Sequence, residues 1–599
     1  DGFCRLAMSV EFYSWPKPPQ KIVVEDDGGG RWTGLELHGT NAKPHKQRGC
    51  AEFTVLQELV SEEEVREILQ FASEALAKSI EAGGSREMDS VDFYPSFETY
   101  FMTQGNYEGG LQHVLQPIIE TRLAPYIRKR FQAPDATACT CLFRRYVPEE
   151  RRIHPVHFDY QAFSTAVVGL NPGDFEGGLF VSNALDRKYV PLGRGDVCVH
   201  QYDLLHGVDV RKGSRYSLII WFMDSPSACL HNTRLWYRRA AEEGDADAQY
   251  NWAQCHFEGE GSGQPRNIPE ALKWYKKACD QDNVHALTMM GRHFWVGEEH
   301  PDLEANPARA VEYWSRAASL GYTNAMTTLG GMLLTGGDGL IDPDVERGLC
   351  LLQKAADLDD VEGYFKLGFH GYTSRRADLV PYLREAAERG HPYACFMMGQ
   401  IYQSGDFGWA ADQDLALRFT KWAVHLGVPE AMTNLGAMCL EGHGIAVDTD
   451  RAVHLFQQAN EVGDAKGTLM LAICHARGIV SGAPDAQEAL KLCREAADTG
   501  LFIAQALLEE FESLASGKGS SSELLKVATG AAPSAQVSDG WDGSWSASAI
   551  PKGASSSSSS NPNGASSSTS PNGVSSSTTP NRAAASSTTK VPDEWEAVD

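Results

Sequence analysis

An alanine or glycine recurs at Ala248, Ala286, Ala325, Gly363, Ala394, Ala431, Gly467 and Ala504, at intervals of 38, 39, 38, 31, 37, 36 and 37 residues. Between these marks one phrase keeps returning, for example KWYKKACDQDNVHA, EYWSRAASLGYTNA and YLREAAERGHPYA. Helical periodicity inside a unit of fixed length describes paired helices that cannot bury their apolar faces alone and must stack on their neighbours. Residues 229–512 therefore read as an all-α helical-repeat solenoid. The small residues permit close helix crossings, and Trp274, Trp314 and Trp422 fill the space between layers. The unit opening at Gly363 is about seven residues short, so altered geometry is expected there.

The remainder reads as a multidomain chain. Residues 1–50, rich in Pro, Gly and charge, are expected to be a loose N-terminal extension. Residues 51–228 form a mixed segment. Its first half is helical, with Ser61-Glu62-Glu63-Glu64 as a capping signal. Its second half breaks into short β-type runs, FSTAVVGL, GGLFVS, DVCVH and RYSLIIWF. Helices followed by such strands suggest an α+β jelly roll with supporting helices. Residues 513–599 are a Ser/Pro/Asn-rich tail in which Pro562, Pro571 and Pro580 head an imperfect nine-residue repeat. That composition cannot offset its ordering entropy, and the tail is expected to be disordered. Its end, from Pro592 to Glu596, reads as solvated rather than as an acidic-aromatic docking motif.

A formal net charge of -26 argues against general binding to nucleic acid or to an anionic membrane. No apolar run is long enough for a transmembrane helix. The 13 cysteines are unpatterned and form no C-x-x-C pair, which reads as buried thiols in a reducing, cytoplasmic setting. Because the sequence opens at Asp1, a lost signal peptide and the endoplasmic reticulum stay open.

The chemistry concentrates at His157-Phe158-Asp159. On an extended segment residues i and i+2 share a side, so an imidazole and a carboxylate converge. His206 would complete a two-histidine, one-carboxylate triad suited to Fe(II). An H-x-D alone is weak, since among 18 histidines roughly one match arises by chance. The chain supplies such a decoy, His300-Pro301-Asp302, in a loop of the repeats. The company of His157 separates the two: Gly195-Asp196-Val197, then His206-Gly207-Val208, then Gly213-Ser214-Arg215-Tyr216-Ser217 opening an apolar strand. Arg215 carries a planar fork suited to a carboxylate, and Ser217 shares its strand face. His154 and His200 read as neighbours rather than ligands, and Asp203 as a turn residue. Arg128, Lys129, Arg130, Arg144, Arg145, Arg151 and Arg152 read as a solvated basic face.

This ordered set, with Glu176-Gly177-Gly178, resembles the prolyl-4-hydroxylase-like branch of the Fe(II)/2-oxoglutarate dioxygenases, over residues 51–224. The repeat phrases resemble the Sel-1-like repeat, a relative of the tetratricopeptide repeat. The first resemblance implies a double-stranded β-helix and iron ligands His157, Asp159 and His206, with no catalytic residue beyond the metal centre. It implies Arg215 as the partner of the 5-carboxylate of 2-oxoglutarate, assisted by Tyr146 and Ser217. Dioxygen would be the second co-substrate, ascorbate would keep the iron reduced, and a protein or peptide would be hydroxylated at proline. Collagen-type members carry Lys ten residues after the distal histidine, whereas Arg215 stands at nine, which puts a collagen-like substrate in doubt. The repeats would recruit a protein partner. The competing reading is a repeat-based scaffold carrying an inactive oxygenase-like domain; oxidative dealkylation of nucleic acid fits the acidic balance poorly.

Overall fold

The computed structural model describes residues 12–518 apart from 26–30, 43–49, 82–97, 148–150, 183–186 and the single positions 260, 262, 264 and 299. Of the tail expected to be disordered, residues 519–599 lie outside the described residues, and residues 513–515 instead close the last helix.

Among the described residues thirteen strands form two antiparallel sheets. In chain order they are β1 (Gln20–Glu25), β2 (Arg31–Ala42), β3 (Cys50–Gln57), β4 (Glu98–Thr103), β5 (Asn106–Tyr107), β6 (Thr137–Tyr146), β7 (Ile153–His157), β8 (Ser164–Gly169), β9 (Phe175–Ser182), β10 (Arg187–Tyr189), β11 (Val197–Gln201), β12 (His206–Gly213) and β13 (Arg215–Met223). The larger sheet runs β1-β2-β3-β11-β8-β13-β6-β4-β5 and the smaller β10-β9-β12-β7. From β6 onward the chain passes back and forth between the sheets, apart from the β9–β10 pair.

The central strands β8 and β11 are buried along nearly their whole length because both faces of their sheet are covered. On one face, Val168, Val197 and Ile220 pack with the helices at 62–81 and 112–130. On the other, Phe53, Val167 and Cys198 pack with Leu179, Val181, Val208 and Val210 of the smaller sheet. The first helix, Glu62–Glu81, starts as the sequence predicts. The Ser61 hydroxyl accepts from the Glu64 amide, and the Glu64 carboxylate accepts from the Ser61 amide at 2.8 Å.

Gln20–Glu25 and Arg31–Ala42, expected within a loose extension, instead form β1 and β2 and enlarge the main sheet. The cysteines also depart from expectation. Cys139 of β6 and Cys229, 90 residues apart, are joined in a disulfide, while Cys141, Cys198 and Cys255 are buried thiols. The basic face is only partly solvated: Arg144 is buried against Glu98 at 2.5 Å, and Arg151 is buried too.

Beyond Pro226 the chain is a run of paired helices to Ala515, most of them 13 residues long. The recurring small residue has a definite job. Ala248, Ala286, Gly363 and Gly467 each sit at the third position of a unit's first helix, where the amide is capped by Asp245, Asn283, Asp360 and Asp464. A larger side chain would strike the helix behind; a Cβ on Gly467 would lie 2.5 Å from that of Ala459. Trp274, Trp314 and Trp422 are buried between layers. The short unit keeps a full first helix, Val361–Thr373, but its second, Pro381–Glu388, has only 8 residues.

Candidate metal centre

His157 closes β7 and His206 opens β12, and the two are register partners across that pair. Asp159 follows in the turn after β7. The three converge: the Nε2 atoms of His157 and His206 lie 3.4 and 3.6 Å from the two Asp159 oxygens. One donor atom from each lies within 4.8 Å of the others, the one such His/Cys/Asp/Glu group among the described residues. The Nδ1 atoms bond the Pro155 and Leu204 carbonyls at 2.8 and 3.0 Å, which places the proton on Nδ1 and turns both Nε2 lone pairs toward Asp159. Burial pushes the His206 pKa down, so the imidazole stays neutral and able to ligate. Burial alone would raise the Asp159 pKa, but His206, His157 and His200 hold it well below the ordinary carboxylate value. Thr165 donates to one Asp159 oxygen at 2.6 Å and fixes its rotamer. This is a donor set of two nitrogens and one oxygen gathered on one side of a small cavity, the type that leaves sites open on an octahedral ion.

The decoy is not brought together with anything comparable. His300 caps a short turn, its Nδ1 accepting from the Asp302 amide at 3.3 Å. His154 stacks on His157 with ring centroids 4.1 Å apart. His200 sits on β11 with Nε2 3.7 Å from Asp159 and that nitrogen unbonded. Both are neighbours of the cluster, as the sequence suggested.

Arg215, Ser217 and Tyr146 line the same cavity, of about 70 Å³. Arg215 is register partner of Tyr146, and its guanidinium lies 5.6 Å from that ring. Its Nη1 donates to the Ser217 hydroxyl at 3.1 Å. Arg215 is only 3% exposed, yet it has no carboxylate partner among the described residues. A buried guanidinium without a counter-charge is costly, and burial lowers its pKa. An anion in this cavity would relieve it.

A further feature escaped the sequence reading. The metal-side turn is braced by the start of the helical array: the Tyr237 hydroxyl donates to the Tyr160 carbonyl at 2.7 Å, and buried Arg234 lies 5.4 Å from the Tyr160 ring. Phe158, between the two ligands, meets His285 with ring centroids 4.8 Å apart.

Comparison with known proteins decides the helical part. The Sel1 repeat family model matches residues 234–245, 246–283, 284–322, 323–360, 392–426, 429–464 and 465–501. These are Sel1 repeats. The gap in the match, 361–391, is the short unit. An uncharacterized protein of Neisseria meningitidis serogroup B is 28% identical over 232 residues, 38% of this chain and 46% of that protein. The chain thus spans less than half the length of that relative. A protective antigen of uropathogenic Escherichia coli with an SLR fold is 21% identical, covering 50% of this chain and 64% of that one at a TM-score of 0.42. A viral collagen prolyl hydroxylase from Paramecium bursaria Chlorella virus-1 is 14% identical, covering 28% of this chain and 94% of that one at 0.21. No described helix is long and apolar enough to cross a membrane.

Proposed function

We propose that residues 51–228 are an Fe(II)- and 2-oxoglutarate-dependent dioxygenase that hydroxylates a protein or peptide, with proline as the target residue, and that the Sel1 repeats recruit the protein partner. Two facing antiparallel sheets joined by a chain that alternates between them support a double-stranded β-helix reading of the β-rich region. The single observation that carries the enzymatic reading is the pairing, in one small cavity, of the His157–Asp159–His206 cluster with the uncompensated guanidinium of Arg215.

His157, Asp159 and His206 would hold the iron. When bound, Fe(II) with 2-oxoglutarate supplies activation of dioxygen for insertion of oxygen into a C–H bond. The chain's own task is placement. The Pro155 and Leu204 carbonyls fix the imidazole tautomers, and Thr165 fixes the carboxylate. Arg215 would take the distal carboxylate of the 2-oxo acid, with Ser217 holding one arm of its fork. Leu179, Val208, Ile219 and Trp221 line the remaining wall and exclude water. Ascorbate would serve as reductant between turnovers.

The test is succinate release by the purified chain with Fe(II) and 2-oxoglutarate, beside Asp159→Ala. Slow release without added substrate, absent in the variant, is the expected result. No release together with no iron or 2-oxoglutarate binding would leave the scaffold reading, in which only the Sel1 repeats work.

A further inference from the structure

A second, larger cavity of about 700 Å³ adjoins the metal centre. One end is formed by His157, Phe158 and Tyr160, the residues around the candidate metal ligands. Its other wall belongs to the repeats. Tyr250, His285, Thr323 and Glu362 stand on, or at the start of, the first helix of four successive units, and all four line it. The face that a repeat solenoid uses for binding thus opens directly onto the metal site.

The helix Val284–Val296 gives the groove a direction. His285, Thr288 and Arg292 are spaced three and four apart, so they share one side of it, and all three line the groove. The His285 ring lies against Phe158 at the metal end. From His285 to Arg292 the helix rises about 10 Å, the length of about three residues of extended peptide. Arg292 makes no hydrogen bond or ion pair among the described residues; burial lowers its pKa against the attraction of Glu298, which does not line the groove. Nearby, Arg187 and Arg389 meet Asp359 at 3.4 and 2.9 Å, and Arg389 also pairs with Glu385 at 2.8 Å. The side chain of Arg152 is spent on the carbonyls of Val210 and Arg211. Along the lining Arg151, Arg152, Arg187, Arg292, Lys366 and Arg389 outnumber the carboxylates Asp359, Asp360 and Glu362, in a chain whose net charge is -26. A local excess of the minority sign beside a candidate active site calls for an occupant of the opposite sign.

We propose that this groove is the substrate channel of the oxygenase and takes an extended acidic peptide of a partner protein, with a carboxylate side chain bound by Arg292 a few residues from the residue at the metal. The proposal rests on the oxygenase reading for what lies at the metal end, but the binding it describes can be measured without turnover. On this view the first four helical units are part of the specificity apparatus rather than a remote recruiting arm.

The probe is a fluorescein-labelled peptide with a central proline flanked on both sides by glutamates, and its glutamine counterpart, bound to the full chain and read by anisotropy. The glutamate peptide is expected to bind about tenfold more tightly at moderate salt. Arg292→Glu should abolish that preference, and Arg292→Gln should reduce it, with Arg494→Glu, at the far end of the array, as the control. A preference of the same size in wild type and both Arg292 variants, or none in wild type, would overturn the proposal. Melting curves of the variants separate a lost contact from a lost fold, and the glutamine variant covers a misfolded charge reversal. Succinate release is scored separately: a charge preference with neither succinate release nor iron or 2-oxoglutarate binding supports the peptide groove and sinks the oxygenase reading, while succinate without a charge preference does the reverse.

Discussion

At the scale of single residues, Arg215 is the most informative side chain in the chain. Burying a guanidinium without a carboxylate partner costs several kcal/mol, a cost sustained only if a ligand recovers it. Arg215→Met should therefore leave the ligand-free protein at least as stable as wild type. The same change should raise the KM for 2-oxoglutarate about 10- to 100-fold, the value of one or two lost charge-assisted hydrogen bonds. Thermal melts with and without 2-oxoglutarate check both halves. A falling melting temperature with undiminished 2-oxoglutarate stabilisation would make Arg215 a structural residue. The triad and this arginine were legible in sequence because each sits at or beside a strand end, where register decides what meets what: His157 faces His206, and Tyr146 faces Arg215. His285 and Arg292 were not. Nothing in their own neighbourhood distinguishes them from other polar residues of a repeat, and their role depends on a contact between segments more than a hundred residues apart.

At the scale of elements, two junctions carry testable strain or support. The reciprocal cap that opens the helix Glu62–Glu81 is tied down by Arg122, which bonds the Glu64 carboxylate at 2.5 and 3.0 Å. Burial raises the Glu64 pKa, but Arg122 and Ser61 outweigh it and the net shift is downward from 4.5. A carboxylate with a depressed folded-state pKa contributes stability above its unfolded pKa and loses it as pH falls through the folded value. Glu64→Gln should thus cost about 1–2 kcal/mol at neutral pH. The gap to wild type should close as urea melts are repeated below pH 4.5. The second junction is the short repeat. Its curtailed second helix brings the Leu383 backbone against Gly368, where an added Cβ would lie 2.4 Å from the Leu383 nitrogen. Helix propensity favours Gly→Ala by about 1 kcal/mol. The clash is against backbone and should reverse that sign, so Gly368→Ala is expected to destabilise the array by about 1–3 kcal/mol in denaturant melts. The missing residues were visible as a count, and the recurring alanine as a mark. That the mark is the capped third position of each first helix needed the structure. Cys139 and Cys229 were illegible for the opposite reason, since 90 residues and no spacing rule connect them.

At the scale of the whole molecule, the turn that carries Asp159 is tied to the helical array by a hydrogen bond and by ring contacts. The turn that carries Asp159 offers the Tyr160 carbonyl to Tyr237, a fully buried side chain whose ring packs on Tyr202 with centroids 4.7 Å apart. Phe158 abuts His285, which in turn meets Tyr322 at the close of the same unit. Fixing Asp159 on a metal should accordingly tighten more than the turn. Binding free energy reaches whatever must be ordered for the ligands to converge, and here that includes the first repeats. Hydrogen exchange on the full chain, with and without a redox-inert divalent ion and 2-oxoglutarate, should show slower exchange in residues 236–258 and 284–296 on loading, and little change in residues 465–515. Tyr237→Phe removes only the hydroxyl. It should cost about 1 kcal/mol of stability and, by freeing the Tyr160 carbonyl, should weaken metal affinity several-fold and erase the added protection in the repeats. If loading protects the β-rich region alone in wild type, the two parts respond independently, and the shared wall is a matter of proximity rather than of coupling.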